Sequence, residues 1–323
     1  MELKRYKEGD EEQILELFEL AFKKKLSKEF WLWRFKNNPF LDPEMINLMW
    51  EDDVLAGHYA VSALEMVVGD KEVLASLSGT TMTHPSFQGK GIFSTLSLEL
   101  YDRVNREHGV NMVLGFPNKN SHYGLVKKIE WKDVAIVPNL SLSTGNLKKT
   151  VLTTSVKNIE TFDDSHSGFI KNIISELGFS VSVSRSTKYL NWRYRDCPIN
   201  DYSCLEISKD GACVGVVITK IFQPDPSTGP ELDIVDLFCA PDLKLLQEIL
   251  IHVDNHYSEK GLTDSNFNLW MSLFDPRHLL MERLGFSPGM PLTYMCTKEF
   301  SEGFSQIADY RNWYISMGDS DIF

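Results

Sequence analysis

No run of apolar residues in this 323-residue chain approaches the roughly 20 needed to cross a bilayer as a helix. No membrane partner is therefore expected. Basic residues are in deficit: 33 Lys and Arg stand against 45 Asp and Glu, a formal net charge of −12. Sequence-independent nucleic-acid binding works by lysine and arginine neutralising phosphates, so nucleic acid is not an expected partner either. The acidic balance is compatible with a cationic small substrate such as an amine. Cysteine is sparse, and none of Cys197, Cys204, Cys213, Cys239 and Cys296 forms a C-x-x-C pair. Reduced, mostly buried thiols and no metal site follow as expectations. The N-terminal stretch MELKRYKEGDEE is polar and acidic, unlike a secretory or transit peptide, which points to the cytoplasm. What the chain does have is 43% hydrophobic residues, enough to bury cores in two ordinary domains.

Periodicity supplies the order of elements. Leu3 to Tyr6 alternates as a short strand does, and Asp10 is placed to cap a helix whose apolar face is Ile14, Leu15, Leu17, Phe18 and Phe22. A second helix over Lys28–Lys36 stops before Asn38-Pro39, because the residue preceding proline is driven from the helical region. Strands are expected at Ile46–Trp50, His58–Val68 and Glu72–Thr83. A glycine loop and a helix carrying Phe93, Leu96, Leu100, Tyr101 and Val104 on one face come next. A strand at Asn111–Phe116, a helix at Asn120–Lys128 and a strand at Val134–Val137 complete the first domain, set at residues 1–143. Residues 144–166 are polar and weakly periodic and are expected to be a linker, part of which can be a strand. Residues 167–323 form the second domain.

The second domain repeats the first in outline. SKEFWLWRFKNNP (27–39) and STKYLNWRYRDCP (186–198) share Ser, Trp-Arg and Pro at equal offsets. Each is followed by a strand, a turn and a glycine, Gly57 or Gly215, that opens another strand. Pro241 answers Pro85, and MERLGFSP (281–288) answers VKKIEWKD (126–133). Self-similarity in this order points to an internal duplication. One difference bears on chemistry: from Ala240 to Lys260 the second half has no glycine, so its strand runs into its helix without the loop.

That loop is THPSFQGKGIFS, residues 83–94. A helix N-terminus presents unpaired N–H groups and the positive end of the helix dipole, and glycines before it let backbone approach an anion closely. Gln88-Gly89-Lys90-Gly91-Ile92 has this form, with Lys90 adding a positive charge. By itself it is also compatible with a plain surface turn. It is not a Walker A loop, since G-K-[ST] is absent, and Ser94 stands where the third glycine of G-x-G-x-x-G belongs. Strands precede the loop, where a dinucleotide fold would begin with it.

Entered from a strand–helix–helix–strand–strand beginning, Pro-x-x-Gln-Gly-Lys-Gly-Ile (85–92) resembles motif A of the GNAT superfamily of acyl-CoA transferases, Q/R-x-x-G-x-G/A, met here by Gln88 and Gly91. The resemblance extends through Pro117-Asn118 to Lys128-Ile129-Glu130-Trp131, which echoes the family's k-l-G-F ending. It covers residues 1–140 well and the second half in degenerate form. It implies an α/β fold of α+β type: two GNAT-like domains, each a mixed, mostly antiparallel twisted sheet flanked by helices. It also implies acetyl-CoA as cosubstrate, with backbone N–H groups of Gln88, Gly89, Lys90, Gly91, Ile92 and Phe93 on the pyrophosphate and Ser94 near the helix start. Met82 and Thr83 would pair with the pantetheine arm and offer an N–H to the developing oxyanion, and Asn118 would line the gap between splayed strands. The acceptor would be a primary amine of a small molecule, attacking the thioester directly in a ternary complex.

Two departures stand out. Phe93 replaces the motif's last Gly or Ala, which requires its ring to point toward the sheet. The position of the usual general-acid tyrosine is Val126, so Tyr123, about one turn earlier, becomes the catalytic candidate. His84, His58, His122 and Glu65 are open as bases, each also readable as structural. His252 and His256 have i, i+4 metal spacing but no third ligand nearby. Trp31, Trp33 and Trp192 are expected as core anchors, with one of them also readable as the wall of a substrate pocket. The C-terminal NWYISMGDSDIF is expected to dock back onto the first half, with its carboxylates facing the active cleft. A non-catalytic acyl-CoA-binding protein and, against the charge balance, a Fem-type aminoacyl transferase are the rival readings.

Overall fold

The computed structural model describes residues 1–41, 44–223 and 229–321. Two compact units emerge. Met1–Ala135, Asp196–Ile199 and Tyr294–Ala308 form the first; Ile136–Arg195, Asn200–Thr293 and the residues from Asp309 on form the second.

In the first unit, β1 (Glu2–Arg5), α1 (Glu11–Phe22) and the short helix α2 (Lys28–Trp31) follow the expected order, α2 closing in a π-turn over Leu32–Lys36. Strands β2 (Ile46–Glu51), β3 (Val54–Val68) and β4 (Lys71–Thr83) lead into α3 (Ile92–His108). Then come β5 (Met112–Gly115), α4 (Lys119–Lys128) and β6 (Lys132–Val137). The sheet runs β1-β2-β3-β4-β5-β15-β6, where β15 is Thr293–Glu299, the last strand of the chain. β1 through β4 pair antiparallel in turn and β15 pairs antiparallel with β5, while β4 and β5 run parallel, as a helix crossover between them requires. Ile14, Leu17, Trp31 and Phe35 pack with Ile46, Leu48 and Met82 on one face. On the other, Leu96, Leu100 and Val104 of α3 and Leu125 of α4 pack with Val113, Trp131 and Cys296.

The second unit repeats this order. It contains β7 (Asn139–Ser143), β8 (Ser155–Asn158), α5 (Asp164–Glu176), β9 (Val181–Val183) and α6 (Thr187–Tyr194). Next are β10 (Tyr202–Lys209), β11 (Ala212–Phe222), β12 (Glu231–Cys239) and α7 (Leu243–Ser258). β13 (Asn266–Trp270), α8 (His278–Arg283) and β14 (Ser287–Pro288) complete it. Its sheet is ordered β14-β7-β13-β12-β11-β10-β8, again with one parallel pair, β12 with β13. The repeated serines do the same work: Ser27 Oγ accepts from Phe30 N–H at 3.2 Å and Ser186 Oγ from Tyr189 N–H at 3.3 Å, each capping its helix. The repeated glycines do too. A β-carbon at Gly57 would lie 2.3 Å from Ile92 Cγ2, and one at Gly215 would lie 3.2 Å from Ile249 Cδ1. Each lets a helix close onto the middle of its sheet.

Strand membership differs from a division at residue 143. β7 belongs to the second sheet, β15 to the first, and the 144–166 segment supplies β8 to the second sheet. Backbone hydrogen bonding decides which edge a strand joins, and side-chain alternation does not record it. Just before β8, Thr153 and Thr154 of this segment are held by Glu248 of α7. Its carboxylate is buried and accepts from Thr153 N–H and Oγ1 at 2.9 Å each, and from Thr154 N–H at 3.0 Å and Oγ1 at 2.7 Å. Burial opposes the charge, but these bonds win and hold the carboxyl down at about 2. An unfolded glutamate titrates near 4.3. This carboxylate therefore contributes stability above pH 4.3, roughly 3 kcal/mol, which is lost as pH falls toward 2. Glu248→Gln should lower urea-unfolding stability at pH 7 and flatten the acid limb between pH 5 and 2; parallel pH profiles for both proteins would refute this.

Candidate functional site

β4 and β5 pair only briefly, at Ser76–Val113 and Leu77–Leu114. β5 ends at Gly115 whereas β4 runs on to Thr83, so residues 78–83 keep β3 on one edge and, among the described residues, no strand on the other. His84 N–H donates to Ala56 O at 3.0 Å. Alternation along the strand therefore turns Met82 N–H toward β3 and Thr83 N–H toward the open edge. The Met82 side chain is in the core.

A bulge interrupts this stretch. Opposite His58 and Ala60 stand Met82 and Gly79, leaving an extra residue on β4, and Thr80 takes φ 54°. His58 Nδ1 donates to Thr80 O at 2.8 Å. The imidazole is fully buried, and burial pushes its pKa down to about 4. His58 is thus a neutral, fully buried ring that holds the bulge. Glu65 pairs with Leu74 on the far side of the closed β4–β5 contact. His84 caps the turn Pro85–Phe87, Nδ1 accepting from Ser86 N–H at 3.2 Å.

The loop follows directly. Gly89 and Gly91 hold φ 78° and 75°, the region where L side chains are strained. Gly91 is the N-cap of α3 and has no side chain to cap with. The first intrahelical bond is Thr95 N–H to Gly91 O at 3.1 Å. Among the described residues, the backbone N–H groups of Gln88 through Ser94 have no acceptor within the chain. Lys90 is exposed, its Nζ 4.8 Å from the Phe87 ring centre. A row of free donors, the helix dipole and a lysine make an anion seat. The matching helix of the second unit is closed: Asp242 caps α7, Oδ1 accepting from Leu245 N–H at 2.7 Å.

Phe93 does point to the sheet. Its ring meets Tyr59 edge-on at 5.7 Å, and a β-carbon at Gly124 would lie 3.6 Å away. Beside that contact, Tyr123 is 65% exposed on α4. Asn118 caps the same helix, Oδ1 accepting from Ser121 N–H at 3.0 Å. At the apex of the open edge the space is filled. A β-carbon at Gly115 would lie 3.1 Å from the Trp131 ring and 3.4 Å from Ser78 Cβ. Tyr59 OH bonds Ser78 Oγ at 2.9 Å and Tyr101 OH at 2.5 Å. Neither the bulge clamp nor the apex could be read beforehand, because each depends on residues opposed across strands.

The weaker sequence features resolve structurally. His252 Nε2 meets Thr154 Oγ1 at 3.0 Å and His256 Nε2 meets Ser203 Oγ at 3.1 Å, so the two rings have separate partners. Trp31, Trp33 and Trp192 are buried. The C-terminal segment's Asp319 lies in the second unit, ion-paired with Arg185 at 2.8 Å; Ile322 and Phe323 lie outside the described residues.

A family model described as Acetyltransferase (GNAT) domain matches residues 2–132. No curated protein sequence matches the chain. Among solved structures, the GCN5-related N-acetyltransferase from Anabaena variabilis ATCC 29413 superposes with a TM-score of 0.70 at 12% identity, covering 91% of this chain and 72% of that one. A conserved protein of unknown function from Enterococcus faecalis V583, a probable N-acyltransferase, gives 0.70 at 15%, over 92% and 72%. Saccharomyces cerevisiae N-myristoyltransferase with bound myristoyl-CoA gives 0.61 at 12%, over 92% and 82%. Residues 2–132 are thus similar to the GNAT acetyltransferase domain, and the chain shares the fold of these solved structures.

Proposed function

We propose that this protein is an acetyl-CoA-dependent N-acetyltransferase whose first unit carries the reaction. The observation that supports this most is the run of free N–H groups from Gln88 to Ser94 at the end of a strand whose edge is open. In this reading the loop binds the coenzyme A pyrophosphate, the pantetheine arm lies along residues 78–83, and Thr83 N–H pairs with it. The arm leads the thioester toward the apex at Ser78, Gly115 and Trp131. A neutral primary amine attacks the thioester carbonyl, a C–N bond forms and the C–S bond breaks. The ammonium proton leaves to solvent, and Tyr123 is the candidate to protonate the departing thiolate. The helix start of the second unit is closed by Asp242, which leaves the coenzyme A role to the first unit, and the repeated order of elements favours a duplication.

The filled apex argues for a short acyl group. Trp131 is 2% exposed and stands over Gly115, so a long chain would have to displace a core indole. The test is coenzyme A release with an acyl-CoA series and an amine panel. Wild type should prefer acetyl-CoA, and Trp131→Leu should shift the preference toward longer chains. Equal preference before and after the substitution would contradict the apex assignment. Because Tyr123 is so exposed, a non-catalytic acyl-CoA-binding role is the second reading. Binding without thiol release for any amine would favour it.

A further inference from the structure

Three side chains of the first unit that play no part in this reading converge on one point. His122 of α4, Asp133 of β6 and Cys296 of β15 each bring one ligand atom, and these atoms all lie within 4.8 Å of one another. Asp133 Oδ1 is 2.5 Å from His122 Nε2 and 3.3 Å from Cys296 Sγ. The thiol is fully buried, while the carboxylate faces solvent. Tyr294 stacks on the imidazole, ring centres 4.3 Å apart at 24°, and fixes its plane.

We propose that His122, Asp133 and Cys296 bind a borderline-soft divalent cation of the Zn²⁺ type. The donor set decides the class: thiolate, imidazole and carboxylate together suit zinc, whereas magnesium and calcium take oxygen ligands. The geometry is close to what zinc needs. With bonds of about 2.0–2.3 Å, the edges of a zinc tetrahedron measure roughly 3.3–3.7 Å. The sulfur–oxygen edge already has that length. The nitrogen–oxygen edge must open by about 0.8 Å, which rotation of the exposed Asp133 carboxylate provides. On binding, the Cys296 S–H bond breaks and its proton goes to solvent, Nε2 of His122 gives its lone pair, and its proton sits on Nδ1. Water completes the fourth position on the exposed side. The ligands come from three elements and include the strand that enters this sheet last in sequence, so the ion clips β15 to α4 and β6. Ligands at 122, 133 and 296 have no short-range spacing, and no sequence pattern signals them.

Cobalt(II) titration of chelator-treated, reduced full-length protein tests this. The expected result is a near-ultraviolet thiolate-to-cobalt charge-transfer band that saturates at one equivalent and is bleached by one equivalent of Zn²⁺. Cys296→Ser should abolish the band. Asp133→Asn, at an exposed position that leaves the core intact, should weaken cobalt affinity at least tenfold. The proposal is overturned if no band saturates at one equivalent, or if the band survives in both variants. Four other cysteines provide that second outcome's source.

Discussion

Gly91→Val is expected to weaken coenzyme A binding by tenfold to a hundredfold with the fold retained. Gly91 sits at φ 75° as the N-cap of α3, a conformation that costs an L residue about 1–2 kcal/mol and a β-branched one more. Nothing lies within 4 Å of a β-carbon there, so no core contact is disturbed. The substituted loop relieves its strain by rotating, and that turns donor N–H groups away from the phosphate. A hydrogen bond to a charged group is worth about 1.5–3 kcal/mol, and 1.4 kcal/mol is tenfold in affinity. Titration calorimetry with coenzyme A reads the change directly. Lys90→Ala offers a contrast: an exposed charge with ordinary backbone should cost less, and its effect should fade with salt. An unchanged affinity in Gly91→Val would remove the loop from the binding site.

Arg185→Ala should destabilise the second unit by about 3–5 kcal/mol. Arg185 is buried, with Nε 3.0 Å and Nη2 3.1 Å from the Asp236 carboxylate, Nη2 3.0 Å from Ser316 Oγ and 2.8 Å from Asp319. Removing it leaves two carboxylates in the core with no cation between them, and an uncompensated buried charge is what makes such truncations costly. Ser316 N–H also donates to Asp319 at 2.9 Å, so the C-terminal segment loses its anchor at the same time. Arg185→Lys keeps the charge but cannot fork across Asp236 and Asp319, and should recover part of the loss. For a unit of this size, thermal unfolding should drop by roughly 10 °C in the alanine variant. A shift under about 2 °C would mean that burial and pairing nearly cancel.

Much of the first unit was readable because its signals are local. Apolar spacing gave α1 and α3, Asn38-Pro39 ended the second helix, and the glycines marked the loop. Ser27 and Ser186 announced the repeat because each caps its own helix three residues on. The glycine loop stood out for a related reason: glycine where a helix begins is a backbone requirement visible at single residues. What escaped notice is non-local. The strands β7 and β15 join sheets according to hydrogen-bonding edges, which alternation does not encode. The Thr80 bulge needs one extra residue on one of two paired strands, and only the register reveals it. His122, Asp133 and Cys296 are brought together by the same insertion of β15. His58 was visible as a histidine near the site, but its clamp on Thr80 depends on complete burial and on the register of the paired strands.

The central claim is that the N–H groups from Gln88 to Ser94 hold the coenzyme A pyrophosphate. Amide hydrogen exchange with and without coenzyme A measures those groups themselves. Free in the unliganded protein, they should exchange fast and become protected on binding, while the Asp242-capped start of α7 stays unchanged. Binding that leaves residues 88–94 exchanging as before would contradict the account.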